Sequence, residues 1–253
     1  ARLTTPELKL ALITALGVDD VAVLPFTSEL ATLAPEAFLH LITQTAHPAS
    51  VFVGEGFRFG RGRSGDGRTI AAYGETHGYE TRVLMRLRDG DEVISSSSIR
   101  AAIVEGCLDM ANHGLGRHYR FGGVVERGEA RGREMGFPTA NLLVALDVCV
   151  PADGIYAGFA HVPGPSLQPL QAMVYIGTRP TFDNGNRMVE VNILDFSGDL
   201  YTRTLEIELV ALIRGDQRFD SMDALSRQMR QDESDTRDRL STASSSYGAA
   251  RSA

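Results

Sequence analysis

The spacing of apolar residues changes near residues 114–117, and this change constrains the fold more than any other feature of the chain. Before it, apolar residues recur at helical spacing, as in Leu8, Ala11, Leu12, Ala15 and Leu16. After it, short runs alternate apolar with polar residues, as in Val189–Ile193. A period of 3.6 residues is typical of amphipathic helices, and a period of two is typical of half-buried strands. The chain therefore divides into a helix-containing half and a strand-rich half.

The first half alternates predicted helices with short apolar strands. Thr5-Pro6-Glu7 has the N-cap, the first-position proline and the acid of a helix start, and Gly17 ends that helix. A second helix begins at Pro35, and buried strands are predicted at Val21–Leu24 and Val51–Val53. This alternation is typical of a parallel α/β sheet.

The second half contains short strand-like runs separated by turn signals. They are Phe121–Val125, Ile155–Phe159, Ala172–Ile176, Val189–Ile193 and Leu205–Ile213. Such a series favours a small antiparallel barrel, because closure removes exposed strand edges. A last helix, capped by Ser221, is expected to pack against the barrel. After Leu240 the composition predicts a disordered tail.

Composition and charge exclude several classes of function. The net charge of −7 argues against a general nucleic-acid binder. No apolar run reaches about 18 residues, so we expect no transmembrane helix and no membrane partner. Cys107 and Cys149 are expected to be reduced and buried in a cytoplasmic protein. The oligomeric state is left open by these features.

The segment from Arg127 to Asn141 carries the strongest candidate site. Gly128, Gly132 and Gly136 recur at a spacing of four, with Arg131 and Arg133 among them. Glycines allow backbone N–H groups to approach an anion closely, and arginines add charge around it. From glycine and arginine alone, however, an exposed hairpin without a ligand is the better interpretation.

The Pro-Thr-Ala-Asn turn that closes this segment changes that interpretation. Thr139 and Asn141 offer a hydroxyl and an amide oxygen two residues apart, which suits a hard cation such as Mg²⁺.

Two further anion sites are suggested in the first half. The Gly-rich basic loop Gly54–Arg63 follows a predicted strand, where ligands bind in open α/β sheets, and a solvated loop is an equal alternative. Ser95–Ser98, followed by Arg100, lie at a predicted helix start, where they suit either an ordinary cap or a phosphate cradle.

Together these motifs resemble known families in both halves. Four motifs in order resemble riboflavin kinases: the flap Gly132–Asn141, then Ile176–Phe182, Val189–Phe196 and the closing pair Leu212–Arg214 and Phe219–Ser221. Three earlier stretches resemble the adenylyltransferase domain of bacterial bifunctional FAD synthetases: Leu24–Ala31, Gly54–Gly60 and Ile94–Arg100.

The resemblance implies a fold and an activity. It implies a partial Rossmann-like α/β nucleotidyltransferase domain at residues 1–115, an antiparallel β-barrel riboflavin kinase domain with a C-terminal helix at 116–240, and a disordered tail at 241–253. The implied enzyme uses ATP and Mg²⁺ to phosphorylate the 5′-hydroxyl of riboflavin, giving FMN, and in its complete form it adenylylates FMN to FAD. A binding or regulatory protein that holds flavin nucleotide without turnover is the alternative.

The same resemblance assigns roles to individual residues. Glu190 is the implied catalytic base, although periodicity alone predicts a solvent-facing side chain there. Thr139 and Asn141 are the implied Mg²⁺ ligands. The implied nucleotide-binding residues are Gly128, Arg131, Gly132, Arg133, Gly136 and Pro138 for the kinase, and Ser96, Ser97 and Arg100 for adenylyl transfer. For Arg131 and Arg133 a solvated loop charge remains an equal alternative.

The sequence also departs from these families and from other kinases. The family's H-x-G-H motif is not in the sequence, and Gly56 and Asn192 stand where the family commonly has Asn and His. We therefore expect little FAD from this chain and a less stable first hundred residues. A P-loop kinase and a protein kinase are excluded, because their motifs are absent.

Overall fold

The computed structural model describes residues 1–128, 136–162, 168–178 and 187–250, with side chains as far as residue 243. It divides into two compact units. One unit comprises Ala1–Ile13 and Ser96–Ala253, and the other comprises Thr14–Ser95.

The helices and strands follow one another along the chain. The helices are α1 (Pro6–Ala15), α2 (Ser28–Thr32), α3 (Pro35–Ala46), α4 (Gly67–His77), α5 (Ser96–Val104), α6 (Leu108–Leu115) and α7 (Met222–Ala250). The strands are β1 (Ser50–Gly54), β2 (Glu80–Leu84), β3 (Arg88–Asp89), β4 (Glu92–Val93), β5 (Tyr119–Glu126), β6 (Ala140–Val144), β7 (Gly154–His161), β8 (Leu170–Thr178), β9 (Arg187–Ile193) and β10 (Thr204–Gly215).

The unit Thr14–Ser95 is a small α/β structure. Strands β1 and β2 pair in parallel, and α4 is the helix that connects them. Asp66 caps α4 by accepting hydrogen bonds from the backbone N–H groups of Arg68 and Thr69. The core of this unit lies between α3, α4 and the strands and contains Leu39, Phe59, Ile70 and Tyr79. The predicted parallel α/β arrangement is thereby confirmed.

One strand predicted for this unit is wrong. Val21–Leu24 has no strand structure, and the side chains of Val23 and Leu24 are 71% and 50% exposed. An apolar run becomes a buried strand only where a neighbouring strand accepts its backbone hydrogen bonds. In the described residues, β1 and β2 pair with each other and not with this run.

The larger unit is built around a closed barrel. Its strands follow the order β10-β5-β6-β9-β8-β7, and every neighbouring pair is antiparallel. Alternate side chains fill the interior, among them Phe121, Val174, Ile176, Val191, Leu205 and Ile207. The five predicted strands and the predicted barrel are confirmed, and β6 is a strand that the sequence pattern did not reveal.

Helix α7 packs against the barrel as predicted. Arg214 on β10 forms an ion pair with the buried Asp232 of α7, at 2.7 Å. Leu240 is fully buried against Ala157, Val210 and Ala211. The helix continues to Ala250, through most of the segment for which the composition predicts disorder. The predicted disorder of the whole tail, residues 241–253, stays a prediction.

Two further expectations concern the segment before the barrel. Helices α5 and α6 belong to the same compact unit as the barrel, whereas the predicted domain boundary near residue 115 stays a prediction. Cys149 is buried as expected, but Cys107 is exposed. Cys107 precedes α6, whose Leu108 and Ala111 take the interior positions instead. Among the described residues, no helix is long and apolar enough to span a membrane.

Candidate active site

The register of the barrel brings two predicted site residues next to each other. Asn141 on β6 lies opposite Glu190 on β9, and Glu190 lies opposite Tyr175 on β8. Side chains directly opposite on neighbouring strands share a face, with Cβ atoms about 4.5–5.5 Å apart. Asn141, Glu190 and Tyr175 therefore form one row across three strands, which we call the outer row.

The outer row lies on the outer face of the barrel. Val189 and Val191, on either side of Glu190, are each 1% exposed and fill the interior. Because successive side chains of a strand alternate between faces, Glu190 points away from that interior. The residue is nevertheless half-buried, and so it is not the freely solvated position that periodicity predicts.

Gly128, the first glycine of the predicted flap, packs against Asn141. A Cβ atom at Gly128 would overlap the Nδ2 atom of the Asn141 side chain. Any other residue would therefore force the amide or the backbone to move. The start of the predicted nucleotide flap is therefore adjacent to a predicted metal ligand.

An apolar cluster adjoins the outer row. Its members are Phe137, Ile155 and Met173, which are buried, and Tyr175, Ile213 and Met229, which pack against them. Tyr175 belongs to both the cluster and the outer row, so the Glu190 position lies at the border of an apolar surface. Burial, followed by the charges of Asp216, Asp153 and Glu190, raises the pKa of the Tyr175 phenol. The phenol therefore remains a hydrogen-bond donor at neutral pH.

Asp153 connects the ends of two strands next to the outer row. Thr178 Oγ1, at the end of β8, donates a hydrogen bond to Asp153 Oδ2 at 3.3 Å. Arg187, at the start of β9, forms an ion pair with the same carboxylate. Asp153 therefore holds both residues that flank segment 179–186. No local sequence signal indicates this role, because the three residues lie far apart in the chain.

The predicted serine motif lies at the start of α5. Ser96 and Ser97 are exposed in its first turn, and Arg100 Nη2 donates a hydrogen bond to Ser97 Oγ at 3.1 Å. Ile99 and Ile103 are buried on the other side of the helix. The predicted helix start is confirmed, while the nucleotide-binding role of these residues stays a prediction.

Comparisons with known proteins agree with both halves of this description. A family model described as riboflavin kinase matches residues 115–240, and a model described as FAD synthetase matches residues 1–98. The bifunctional riboflavin kinase/FMN adenylyltransferase of Escherichia coli K12 is 36% identical over 234 residues, which cover 92% of this chain and 74% of the relative. The chain belongs to the bifunctional riboflavin kinase/FMN adenylyltransferase family.

Two other proteins are similar to nearly the whole of this chain. The bifunctional enzyme of Listeria monocytogenes is 34% identical over 93% of this chain and 74% of its own length. A crystal structure described as a macrolide-efflux protein from Streptococcus pneumoniae superposes with a TM-score of 0.83, at 31% identity over 93% of this chain and 75% of that chain.

Membership of this family confirms that the protein is an enzyme of the riboflavin kinase and FAD synthetase type. It favours the enzyme over the non-catalytic flavin-binding alternative. The expected impairment of FAD formation stays a prediction.

The roles of several family motif residues stay predictions because the residues themselves are not described by the structure. Arg131, Gly132 and Arg133 lie outside the described residues, as does the second half of the motif Ile176–Phe182. Gly136 is described, and its φ of +86° is one that glycine adopts readily.

Asn192 is a residue of the site region that sequence reasoning missed. Alternation along β9 predicts an exposed side chain, but Asn192 is only 6% exposed. Its Nδ2 donates a hydrogen bond to the carbonyl oxygen of Pro138 at 2.8 Å. A contact across 54 residues of chain leaves no local trace in the sequence.

Proposed function

We propose that the outer row is the kinase site, at which the γ-phosphate of ATP is transferred to the ribityl 5′-hydroxyl of riboflavin. The observation that carries this proposal is the register that places Asn141 directly opposite Glu190. Phosphoryl transfer depends mainly on positioning and on neutralising charge, so a fixed pair of a metal ligand and a carboxylate is what the reaction requires.

The donor atoms near the outer row fit Mg²⁺. The hydroxyl of Thr139 and the amide oxygen of Asn141 are hard ligands, and Mg²⁺ commonly takes few protein ligands together with phosphate oxygens and water. Contact with Gly128 restricts the Asn141 amide, so that ligand is partly oriented by the backbone. A bound Mg²⁺ ion would neutralise charge on the phosphates. Thr139 and Asn141 would hold it, and the flap that begins at Gly128 would contact the nucleotide.

Glu190 is the proposed general base. Its carboxylate would accept the proton of the 5′-hydroxyl as that oxygen bonds to the γ-phosphorus and ADP leaves. General-base catalysis of this kind contributes typically about 10²–10⁴-fold to a rate. The half-buried position of Glu190 at the edge of the apolar cluster supports this role, since part of the surrounding water is excluded there.

The apolar cluster is the proposed contact for the riboflavin ring system. Half-buried Tyr175, which packs against the buried Phe137 and Met173, offers an aromatic ring directly opposite Glu190. The ribityl chain would then extend towards the outer row, where Tyr175 offers a protonated phenol.

For FMN adenylylation, the proposed phosphate contact is the start of α5. Exposed Ser96 and Ser97, the second of which accepts a hydrogen bond from Arg100, stand where the helix dipole favours an anion.

The experiment is an incubation of the protein with riboflavin, Mg²⁺ and ATP, followed by chromatographic separation of riboflavin, FMN and FAD. We expect FMN from the wild type and a rate lower by about 10²-fold or more from Glu190→Gln, which keeps the shape but removes the base. Glu105→Gln, at an exposed carboxylate between α5 and α6, is the matched control. Riboflavin binding without FMN formation by the wild type would restore the non-catalytic alternative.

A further inference from the structure

Asn192 is a polar side chain buried on the outer face of β9. It lies two residues after Glu190 and therefore on the same side of the strand. It is 6% exposed, and its Nδ2 atom lies 2.8 Å from the carbonyl oxygen of Pro138. A buried amide is retained without loss of stability only when its hydrogen bonds are made.

The position of this hydrogen bond is explained by where strand pairing stops. The ladder between β6 and β9 ends at Ala140 opposite Val191. Two residues earlier, Pro138 has no N–H group and cannot continue a ladder as a donor. Asn192 supplies a side-chain donor to the Pro138 carbonyl at the point where backbone pairing ends.

Thr139 is consequently held from both sides. On one side, the carbonyl of Pro138 is bound by Asn192. On the other, Ala140 and Asn141 are paired with β9. Strand β9 thus holds the backbone on both sides of Thr139 and also carries Glu190.

We propose that Asn192 is a positioning residue of the kinase site, whose amide fixes the Pro138 carbonyl and thereby orients Thr139 towards the complex of a divalent cation with nucleotide. This inference rests on the proposed function, because it needs Thr139 to be a ligand. Residues that orient metal ligands from behind typically influence metal affinity by about 10- to 100-fold.

The test is calorimetric titration with Mg-ADP, and with ADP in the presence of a chelator, on five variants. Asn192→Leu removes the donor at similar volume. If the Asn192→Leu protein does not fold, Asn192→Ala is measured in its place. Asn192→His retains an N–H donor at a comparable position. We expect Mg-ADP affinity to fall by about 10-fold or more in Asn192→Leu, to recover largely in Asn192→His, and metal-free ADP affinity to change by less than about threefold.

Asn112→Leu is the matched control for a merely structural effect. The Asn112 amide of α6 also donates to barrel carbonyls, to Leu209 O at 3.1 Å and Val210 O at 3.3 Å, but on β10. We expect this variant to lose thermal stability while keeping Mg-ADP affinity. Equal losses of Mg-ADP affinity in Asn112→Leu and Asn192→Leu would overturn the positioning role.

Thr139→Val separates failure of this inference from failure of the proposed function. If Thr139→Val leaves Mg-ADP affinity unchanged, the metal role of Thr139 is wrong and the positioning role falls with it. If Thr139→Val weakens Mg-ADP binding while Asn192→Leu and Asn192→Ala do not, the site stands and the positioning role alone is overturned.

Discussion

Two carboxylates on the outer face of the same barrel have different residues opposite them on the neighbouring strands. Glu208 on β10 has Arg120 of β5 directly opposite it. Glu190 on β9 has Asn141 on one side and Tyr175 on the other. Glu208 therefore has a cation opposite it on β5, whereas the residues directly opposite Glu190 are an amide and a phenol.

The surroundings of Glu208 are those of a structural group. His118 Nδ1 lies 2.9 Å from one carboxylate oxygen, while His161 Nε2 and Arg120 Nη2 lie 3.0 Å and 3.3 Å from the other. Burial alone raises the pKa of Glu208, but hydrogen bonds from His118 and His161 and the charge of Arg120 lower it well below its usual range. A carboxylate so strongly held in its ionised form is a poor proton acceptor at neutral pH.

The comparison teaches that alternation in sequence does not distinguish the proposed catalytic carboxylate from a structural one. Glu190 and Glu208 occupy equivalent polar positions in their strands, and both are more buried than alternation predicts. Only the register, which sets the residues opposite each of them, separates the two roles.

Removing the proposed metal ligands should weaken nucleotide binding on the Glu190 side. Thr139→Val and Asn141→Ala each remove a hard oxygen ligand, and we expect Mg-ADP affinity to fall by about 10- to 100-fold. Calorimetric titration measures this. Thermal stability should stay nearly constant, and an unchanged affinity in both variants would contradict the metal site.

Removing the charge of Glu208 should affect stability and not activity. In Glu208→Gln, Arg120 loses its ionised partner and the two histidines lose a charged hydrogen-bond partner, so we expect the free energy of unfolding to fall by about 2 kcal/mol. Urea unfolding measures this, with the rate of FMN formation as the control. A loss of activity larger than about threefold in protein that is still folded would break the distinction between the two carboxylates.

The pH dependence of stability should also reflect the structural role of Glu208, with a smaller effect. Because the folded state lowers the pKa of Glu208, its contribution is fully present above the unfolded pKa of about 4.3 and is lost as the pH falls below it. We expect the difference in unfolding free energy between wild type and Glu208→Gln to shrink as the pH falls from about 5 towards 4. A difference that grows over this range would contradict the sign of this pKa shift.

The sequence predicts those parts of the fold that depend on local pattern. Val189, Glu190 and Val191 alternate cleanly, so the strand and the outward direction of Glu190 could be read from the sequence. Val21–Leu24 was predicted wrongly, because an apolar run does not reveal whether a partner strand is present.

The remaining features depend on contacts between distant residues. The burial of Asn192 depends on Pro138, and that of Glu208 on His118 and His161, none of which is a sequence neighbour. The close packing of Gly128 arises from contact with the Asn141 side chain. These tertiary contacts become visible only once the register of the barrel is known.

One paired measurement tests the central claim that Glu190 is the functional carboxylate and Glu208 the structural one. Glu190→Gln and Glu208→Gln are compared by kcat for FMN formation and by urea unfolding under the same conditions. We predict that Glu190→Gln lowers kcat by about 10²-fold or more with nearly unchanged stability, and that Glu208→Gln lowers stability with nearly unchanged kcat. Wild-type turnover in folded Glu190→Gln protein would contradict the account.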